Sequence, residues 1–242
     1  MADLHPGIER GRKGGIGYLH RHGKGRSLVL VHGLGAHSGS WMPLIEKLPD
    51  EFNIYAIDLL GHGESAAPEA FSVEVQEAAL EGFISAAGLS EFYLFGHSYG
   101  AWLAVLYAIR HTGLSGLIIE DASGLKEYFN DLGLLNRKEY ISAIVNNISG
   151  RDGISPGIVS GFMDRMFYDK HISREALGGI RCPALVLWGS DDSRIPVKYG
   201  RLFNEHIKGS TFKEIKGAKH TPHYTHAAEV ADAVSRFAGL LD

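Results

Sequence analysis

The sequence contains a single cysteine, Cys182, among 242 residues. That excludes an intrachain disulfide and a cysteine-based zinc framework, and it fits a reducing compartment. No run approaches the ~18 consecutive apolar residues of a membrane span. The opening MADLHPGIERGRKGG also lacks the apolar stretch of a secretory signal. The expectation is a soluble, cytoplasmic protein without membrane contact. Charge of one sign is missing too: 24 Lys and Arg against 28 Asp and Glu leave a formal charge of -4, which offers a nucleic acid backbone no electrostatic footprint. Neither an internal repeat nor a low-complexity tract is visible.

What is present is built to pack. Hydrophobic residues make up 45% and charged residues 21%, which sets the chain among globular proteins rather than disordered ones. At about 150 residues per domain, the length suits one large domain or a domain carrying an insertion. Short apolar runs alternate with helix-length segments. SLVLVHG from Ser27, FNIYAIDL from Phe52, FYLFG from Phe92, LSGLIIED from Leu114, PALVLWG from Pro183 and STFKEIK from Ser210 read as strands. SWMPLIEKL, VEVQEAALEGFISAAG, AWLAVLYAIRH and HAAEVADAVSRFAGLL carry apolar residues at helical spacing. The alternation predicts an α/β fold, a mostly parallel twisted sheet flanked by helices. GIGYLHRHG could add an antiparallel hairpin strand, against the glycines at 14, 15, 17 and 23.

From about Leu125 to Gly179 the alternation stops, leaving helical segments such as LLNRKEYISAIVNNIS and PGIVSGFMDRMF without a strand. The expected organisation is a core of residues 1–124 and 180–242 with a helical cap insertion at 125–179. Placed after a strand, such an insertion sits over the carboxyl edge of the sheet, where it can exclude water from a crevice. The plainer alternative is a set of helices that only extends the core.

Chemistry is expected where strands end. Gly96-His97-Ser98-Tyr99-Gly100 follows an apolar run and precedes a helix-length segment, the strand-turn-helix context of a nucleophile elbow. Two glycines let strand and helix approach, and the helix N-terminus turns backbone N–H groups toward Ser98. A glycine-rich turn with Ser98 as a helix cap is the plainer alternative. A serine nucleophile needs a base held by a carboxylate. WGSDDSRIP, Trp188 to Pro196, puts two acids after a strand, and KGAKHTPHYTH follows the last strand, with Thr221 suited to an N-cap and Pro222 to the first helical position. His220 then lies on a loop, free to reach the elbow.

HGLG at His32 to Gly35, DLLGHGES at Asp58 to Ser65, GHSYG, WGSDDSRIP and GAKHTPHYTH occur in that order. Together they resemble the α/β-hydrolase fold family across nearly the whole chain except the insertion. The resemblance implies Ser98 as nucleophile, His220 as general base and then acid, and Asp192 as the residue that orients the imidazole. It also implies the backbone N–H groups of Leu34 and Tyr99 as oxyanion donors. Asp191 and, after the earlier strand, Asp121 are rivals for the acid. The Gly-x-x-Asp-x-x-x-Pro spacing favours Asp192 and leaves Asp191 a solvated turn residue. His32 is expected to be a hydrogen-bonded structural histidine. Lys219 departs from the glycine common before the catalytic histidine.

The implied activity is a serine esterase acting on a small carboxylic ester with an apolar acyl or aryl group, requiring no cofactor. Carbon–carbon bond hydrolase, lactonase and aminopeptidase-like amidase chemistry use the same triad, and a ligand-binding protein with a vestigial triad is the alternative of another class. Tyr128, Phe129, Leu134, Leu135, Tyr140, Phe162, Met163, Met166 and Phe167 supply apolar area for a pocket, although more than half of them could instead pack the cap onto the sheet. Two further readings are weaker. Gly33-Leu34-Gly35 with Asp58 suggests a dinucleotide-binding unit, but Ser38 replaces its third glycine, and no P-loop occurs. His220, His223 and His226 suggest a metal, but no carboxylate completes an evident set, so no metal is expected and solvated surface histidines are the default.

Overall fold

The structure, a computed structural model, describes residues 7–133, 137–148 and 154–239. Its centre is an eight-stranded sheet in the order β1-β2-β4-β3-β5-β6-β7-β8. The strands are β1 Ile8–Lys13, β2 Ile16–Arg21, β3 Ser27–Val31, β4 Asn53–Ile57, β5 Phe92–His97, β6 Leu114–Glu120, β7 Ala184–Gly189 and β8 Thr211–Ile215. The sheet is parallel from β4 to β8, whereas β2 pairs antiparallel with both β1 and β4. The six apolar runs become β3 to β8. GIGYLHRHG does form a strand, and two of the four glycines that argued against it make the turn: Gly14 and Gly15 have φ of 57° and 84°, as a two-residue hairpin loop requires.

Among the described residues the helices are α1 Met42–Ile45, α2 Val73–Ala86, α3 Tyr99–Arg110, α4 Lys126–Leu132, α5 Arg137–Ile148, α6 Pro156–Arg165, α7 Arg174–Leu177, α8 Lys198–His206, α9 Pro222–Thr225 and α10 Ala227–Phe237. SWMPLIEKL gives only a short 3₁₀ turn followed by the single turn of α1, with Pro43 in its first turn, where a missing N–H costs nothing. No helix among the described residues is long and apolar enough to cross a membrane.

Strand alternation divides the core into two layers. Val29, Val31, Leu94, Ile119 and Val186 face one cluster with Leu80, Phe83 and the apolar face of α3. Leu28, Leu30, Phe95, Ile118 and Leu187 face the other with Leu44, Val230 and Val234. A period of two with both faces covered is what a central parallel sheet needs. The chain moves from β3 to β4 on one side and returns to β5 on the other, so the carboxyl ends of β3 and β5 flank a topological switch point, where ligands of open α/β sheets bind. Between β6 and β7 lie α4 to α7, with isolated bridges at Leu125–Ile172 and His62–Ile154 among the described residues.

Candidate active site

At the end of β5 the chain reverses into α3 through Ser98, which has φ 53° and ψ −114°. A residue with a Cβ holds such a conformation only where its surroundings enforce it. Here the Ser98 N–H donates to the Glu120 carbonyl at 2.9 Å, and the Ser98 carbonyl accepts from the N–H groups of Ala101, Trp102 and Ser123. The turn also needs its two glycines. A Cβ on Gly96 would lie 2.4 Å from the Gly100 carbonyl oxygen, and one on Gly100 would lie 2.3 Å from that of Val31. Ser98, half-buried, is therefore held at the strand end by close backbone packing, not by a capping bond, which its side chain does not make.

The loop after β8 brings His220 to this turn. Its Nε2 lies 3.1 Å from Ser98 Oγ, and its Nδ1 lies 2.7 Å from Asp192 Oδ2. These partners assign the tautomer, since a carboxylate only accepts: Nδ1–H donates to Asp192, and Nε2 is free to accept from the serine hydroxyl. The Asp192 side chain is 0% exposed and that of His220 12%. The second Asp192 oxygen accepts from the N–H groups of Arg194 and Ile195 at 2.8 and 3.1 Å, so the carboxylate is fixed before it meets the imidazole. Asp191 faces outward and accepts from the Ser190 hydroxyl at 2.6 Å. Asp121 is buried, with φ 45°, and accepts the Gly189 N–H at 2.9 Å. Burial, then the charges of Glu120 and Asp192, hold its carboxyl well above the usual range. Lys219 is exposed. Thr221 precedes α9, but its side chain makes no capping bond.

The HGLG turn after β3 lies opposite. Gly35 has φ 76°, and the Ala36 N–H closes the turn onto the Gly33 carbonyl at 3.2 Å. Two buried histidines brace it as neutral rings. His32 Nδ1–H donates to the Gly33 carbonyl at 2.8 Å while its Nε2 accepts the Leu59 N–H at 3.0 Å. His62 Nε2 accepts the Gly35 N–H at 3.2 Å, and its Nδ1–H donates to the Leu60 carbonyl at 3.1 Å. Burial pushes both imidazoles below their ordinary value, which keeps one nitrogen of each an acceptor. Asp58, the acid of the dinucleotide pattern, accepts the N–H groups of Ser38 and Glu64 at 2.6 and 2.9 Å, tying the loops after β3 and β4 together. Leu34, Tyr99, Ser98 and His220 line one cavity of about 700 Å³, its open mouth included.

A sequence model of the alpha/beta hydrolase family matches residues 28–233. The chain belongs to that family. It is 26% identical to a pimeloyl-[acyl-carrier protein] methyl ester esterase of Methylococcus capsulatus, over 91% of this chain and 97% of that one. Among solved structures it is similar to an esterase from Thermogutta terrifontis, at 23% identity with a TM-score of 0.77 over 95% of this chain and 97% of the other. It is also similar to an enol-lactonase from Burkholderia xenovorans, at 20% identity with a TM-score of 0.76 over 95% and 99%.

In this α/β-hydrolase a second buried network, absent from the motif reading, grips the histidine loop. Glu120 Oε1 accepts the His223 N–H at 2.8 Å, and Glu120 Oε2 bonds the His223 ring at Nδ1. His97 Nε2–H donates to the His220 carbonyl at 2.6 Å. Burial, with the neighbouring His223 and His220 next in weight, pushes His97 well below its ordinary value, so it acts as a neutral donor. His223 is thus not the solvated surface histidine expected: Pro222 starts α9 so that the His223 ring turns inward against Trp41, 4.2 Å between ring centroids. His220, His223 and His226 do not converge as a ligand set. The groupings of ligand-type atoms at this end of the sheet are His97, Asp121 and His220, and His97, Glu120 and His223, among the described residues. The signal that could have pointed to Glu120 was its place beside Asp121 at the end of LIIED.

Of the apolar residues expected to form a pocket, Tyr128, Tyr140, Met163 and Met166 line the cavity, joined by Ile144 and Ile148. Phe129 and Phe162 are buried in the core instead, and Phe167 packs under Arg137. Leu134 and Leu135 lie outside the described residues.

Proposed function

We propose that the protein is a serine hydrolase that cleaves small carboxylic esters through an acyl-enzyme on Ser98. The observation that carries this reading is the position of His220, which bridges Ser98 Oγ and Asp192 Oδ2 through its two ring nitrogens. Ser98 Oγ attacks the ester carbonyl as its proton passes to His220 Nε2, and the imidazolium is stabilised by Asp192. The backbone N–H groups of Leu34 and Tyr99 receive the oxyanion; one such donor is worth about 10²–10³ in rate. The tetrahedral intermediate then expels the alcohol, which takes the proton from His220. A water, deprotonated by His220, attacks the acyl-enzyme and releases the acid and free Ser98. Each proton taken up is returned, so no cofactor enters the balance.

Residues 125–179 act in this reading as a cap. Support comes from α4, α5 and α6, whose Tyr128, Tyr140, Ile144, Ile148 and Met163 wall the cavity and shield it from water. The methyl ester esterase activity named for the Methylococcus relative supports an ester as the bond cleaved. Ser98→Ala is expected to lower hydrolysis of p-nitrophenyl acetate and butyrate by about 10⁴-fold or more while leaving the circular dichroism spectrum unchanged. Turnover equal to that of the unaltered protein would overturn the assignment.

A further inference from the structure

The cavity beside Ser98 has mainly apolar walls, yet a permanent cation lines it. Arg194 lies two residues after Asp192 and shares the cavity with Tyr128 of α4 and Tyr140 of α5. A guanidinium stays charged throughout the physiological range and is costly to leave half-buried without a counter-charge. Arg110, Arg165, Arg174, Arg201 and Arg236 each reach a carboxylate. Among the described residues the Arg194 guanidinium has no such partner, although the side chain is half-buried. Asp192 does not serve, because one of its oxygens is taken by His220 and the other by the backbone N–H groups of Arg194 and Ile195.

The tyrosines complete the feature. Tyr128 Oη lies 2.8 Å from Tyr140 Oη and 3.4 Å from the Arg194 carbonyl oxygen. A carbonyl only accepts and the Tyr128 hydroxyl has one proton, so Tyr128 donates to the Arg194 carbonyl and Tyr140 donates to the Tyr128 oxygen, a chain that fixes the Arg194 backbone at the cavity. Burial pushes both hydroxyls up, which keeps them protonated donors. Burial also pushes the His97 ring down, and the Arg194 charge is felt at both Tyr140 and His97, two residues that line the cavity.

We infer that Arg194 forms an anion subsite within the Ser98 cavity, so that the ester cleaved carries a carboxylate besides its reacting carbonyl. The inference rests on the reading of this cavity as the substrate site. Arg194 supplies a planar pair of N–H donors to the carboxylate, and the apolar wall strengthens them by excluding water. The ligand's charge replaces the missing internal partner.

Two substrate pairs test it, with acid release followed by pH-stat: monomethyl glutarate against methyl butyrate, and acetoxyacetate against ethyl acetate. In at least one pair the charged ester is expected to exceed the neutral one in kcat/KM by about tenfold or more. Arg194→Gln is expected to lower that ratio by about tenfold, and Arg194→Lys, which keeps charge without the fork, to give an intermediate value. Any general loss of activity cancels in the ratio. A preference absent from both pairs, or a ratio unchanged by Arg194→Gln, overturns the subsite. Calorimetric titration of glutarate into Ser98→Ala protein, with and without Arg194→Gln, reads the subsite without turnover: binding that weakens about tenfold supports it, and equal binding overturns it. If neutral esters are cleaved in a Ser98-dependent way while the ratio ignores Arg194, the subsite alone fails. If Ser98→Ala changes no rate, the hydrolase reading fails, and glutarate binding still reports on Arg194.

Discussion

Three carboxylic acids, Asp121, Asp191 and Asp192, crowd one end of the sheet, and their surroundings give them different chemistry. Asp192 meets His220 with one oxygen and backbone donors with the other, so it remains a fixed acceptor. Asp121 is held toward its neutral form by burial and by the acids beside it. Asp191 is exposed to water. Asp192→Asn is therefore expected to cut kcat on p-nitrophenyl butyrate by about 10⁴-fold, because an amide cannot hold the required tautomer or stabilise an imidazolium. Asp121→Asn keeps an acceptor for the Gly189 N–H and resembles the neutral acid, and Asp191→Asn alters only a solvated charge; both should stay within about threefold. A larger loss from either than from Asp192→Asn would move the acid's role. Glu120 is a positioning residue, since its carboxylate touches His223 and its backbone carbonyl the Ser98 N–H, neither reaching Ser98 Oγ. Glu120→Gln should lower kcat about tenfold, with KM nearly unchanged and recovery in part by Glu120→Asp. A parallel rise in KM, or no change in kcat, would show that the grip on the loop does not reach the chemistry.

At the scale of elements, the elbow depends on β5 and α3 approaching β3 more closely than any side chain permits. Gly100→Ala should destabilise the protein by about 2 kcal/mol or more and reduce activity with it, because the new Cβ meets two backbone carbonyls, of Val31 at 2.3 Å and His32 at 2.5 Å. Gly82→Ala is the contrasting case. It lies within α2, where an added Cβ would have nothing within 4 Å, so the change should stabilise by about 0.5–1 kcal/mol. Urea titration of both variants checks the pair, and equal effects would contradict the packing account. The same contrast explains what was legible beforehand. β3 to β8 stand out because buried parallel strands are apolar runs bounded by glycine or acid, and GHSYG, WGSDDSRIP and GAKHTPHYTH stand out because their turn residues sit at fixed offsets. β1 does not: IERGRK is an exposed edge strand whose order comes from β2. Glu120 and His223 are 103 residues apart and meet only through the sheet, so local pattern had no means of pairing them or of turning His223 inward.

Across the whole molecule, buried neutral histidines link the site's architecture to acid stability. His32 braces the HGLG turn and His97 holds the His220 carbonyl, and burial pushes both well below the ordinary value of 6.5. Below pH 6.5 the unfolded chain protonates these rings while the folded protein does not, so stability falls as pH falls from 6.5 toward the folded values and is constant in this respect above 6.5. Each ring contributes a slope of up to about 1.4 kcal/mol per pH unit inside that window. Asp121 opposes them: its raised value makes the folded state the stronger proton binder above 3.8, so its contribution declines as pH rises. Two strongly depressed histidines against one strongly raised acid leave a net loss on acidification, and His62 adds to it. Urea midpoints should therefore drop between about pH 6.5 and pH 5.5 and change little between about pH 6.5 and pH 8. Asp121→Asn removes the opposing slope, so its midpoints should fall more steeply over the acidic interval than those of the unaltered protein. A flat profile, or a shallower one in Asp121→Asn, would mean that these buried groups titrate alike in the folded and unfolded chain.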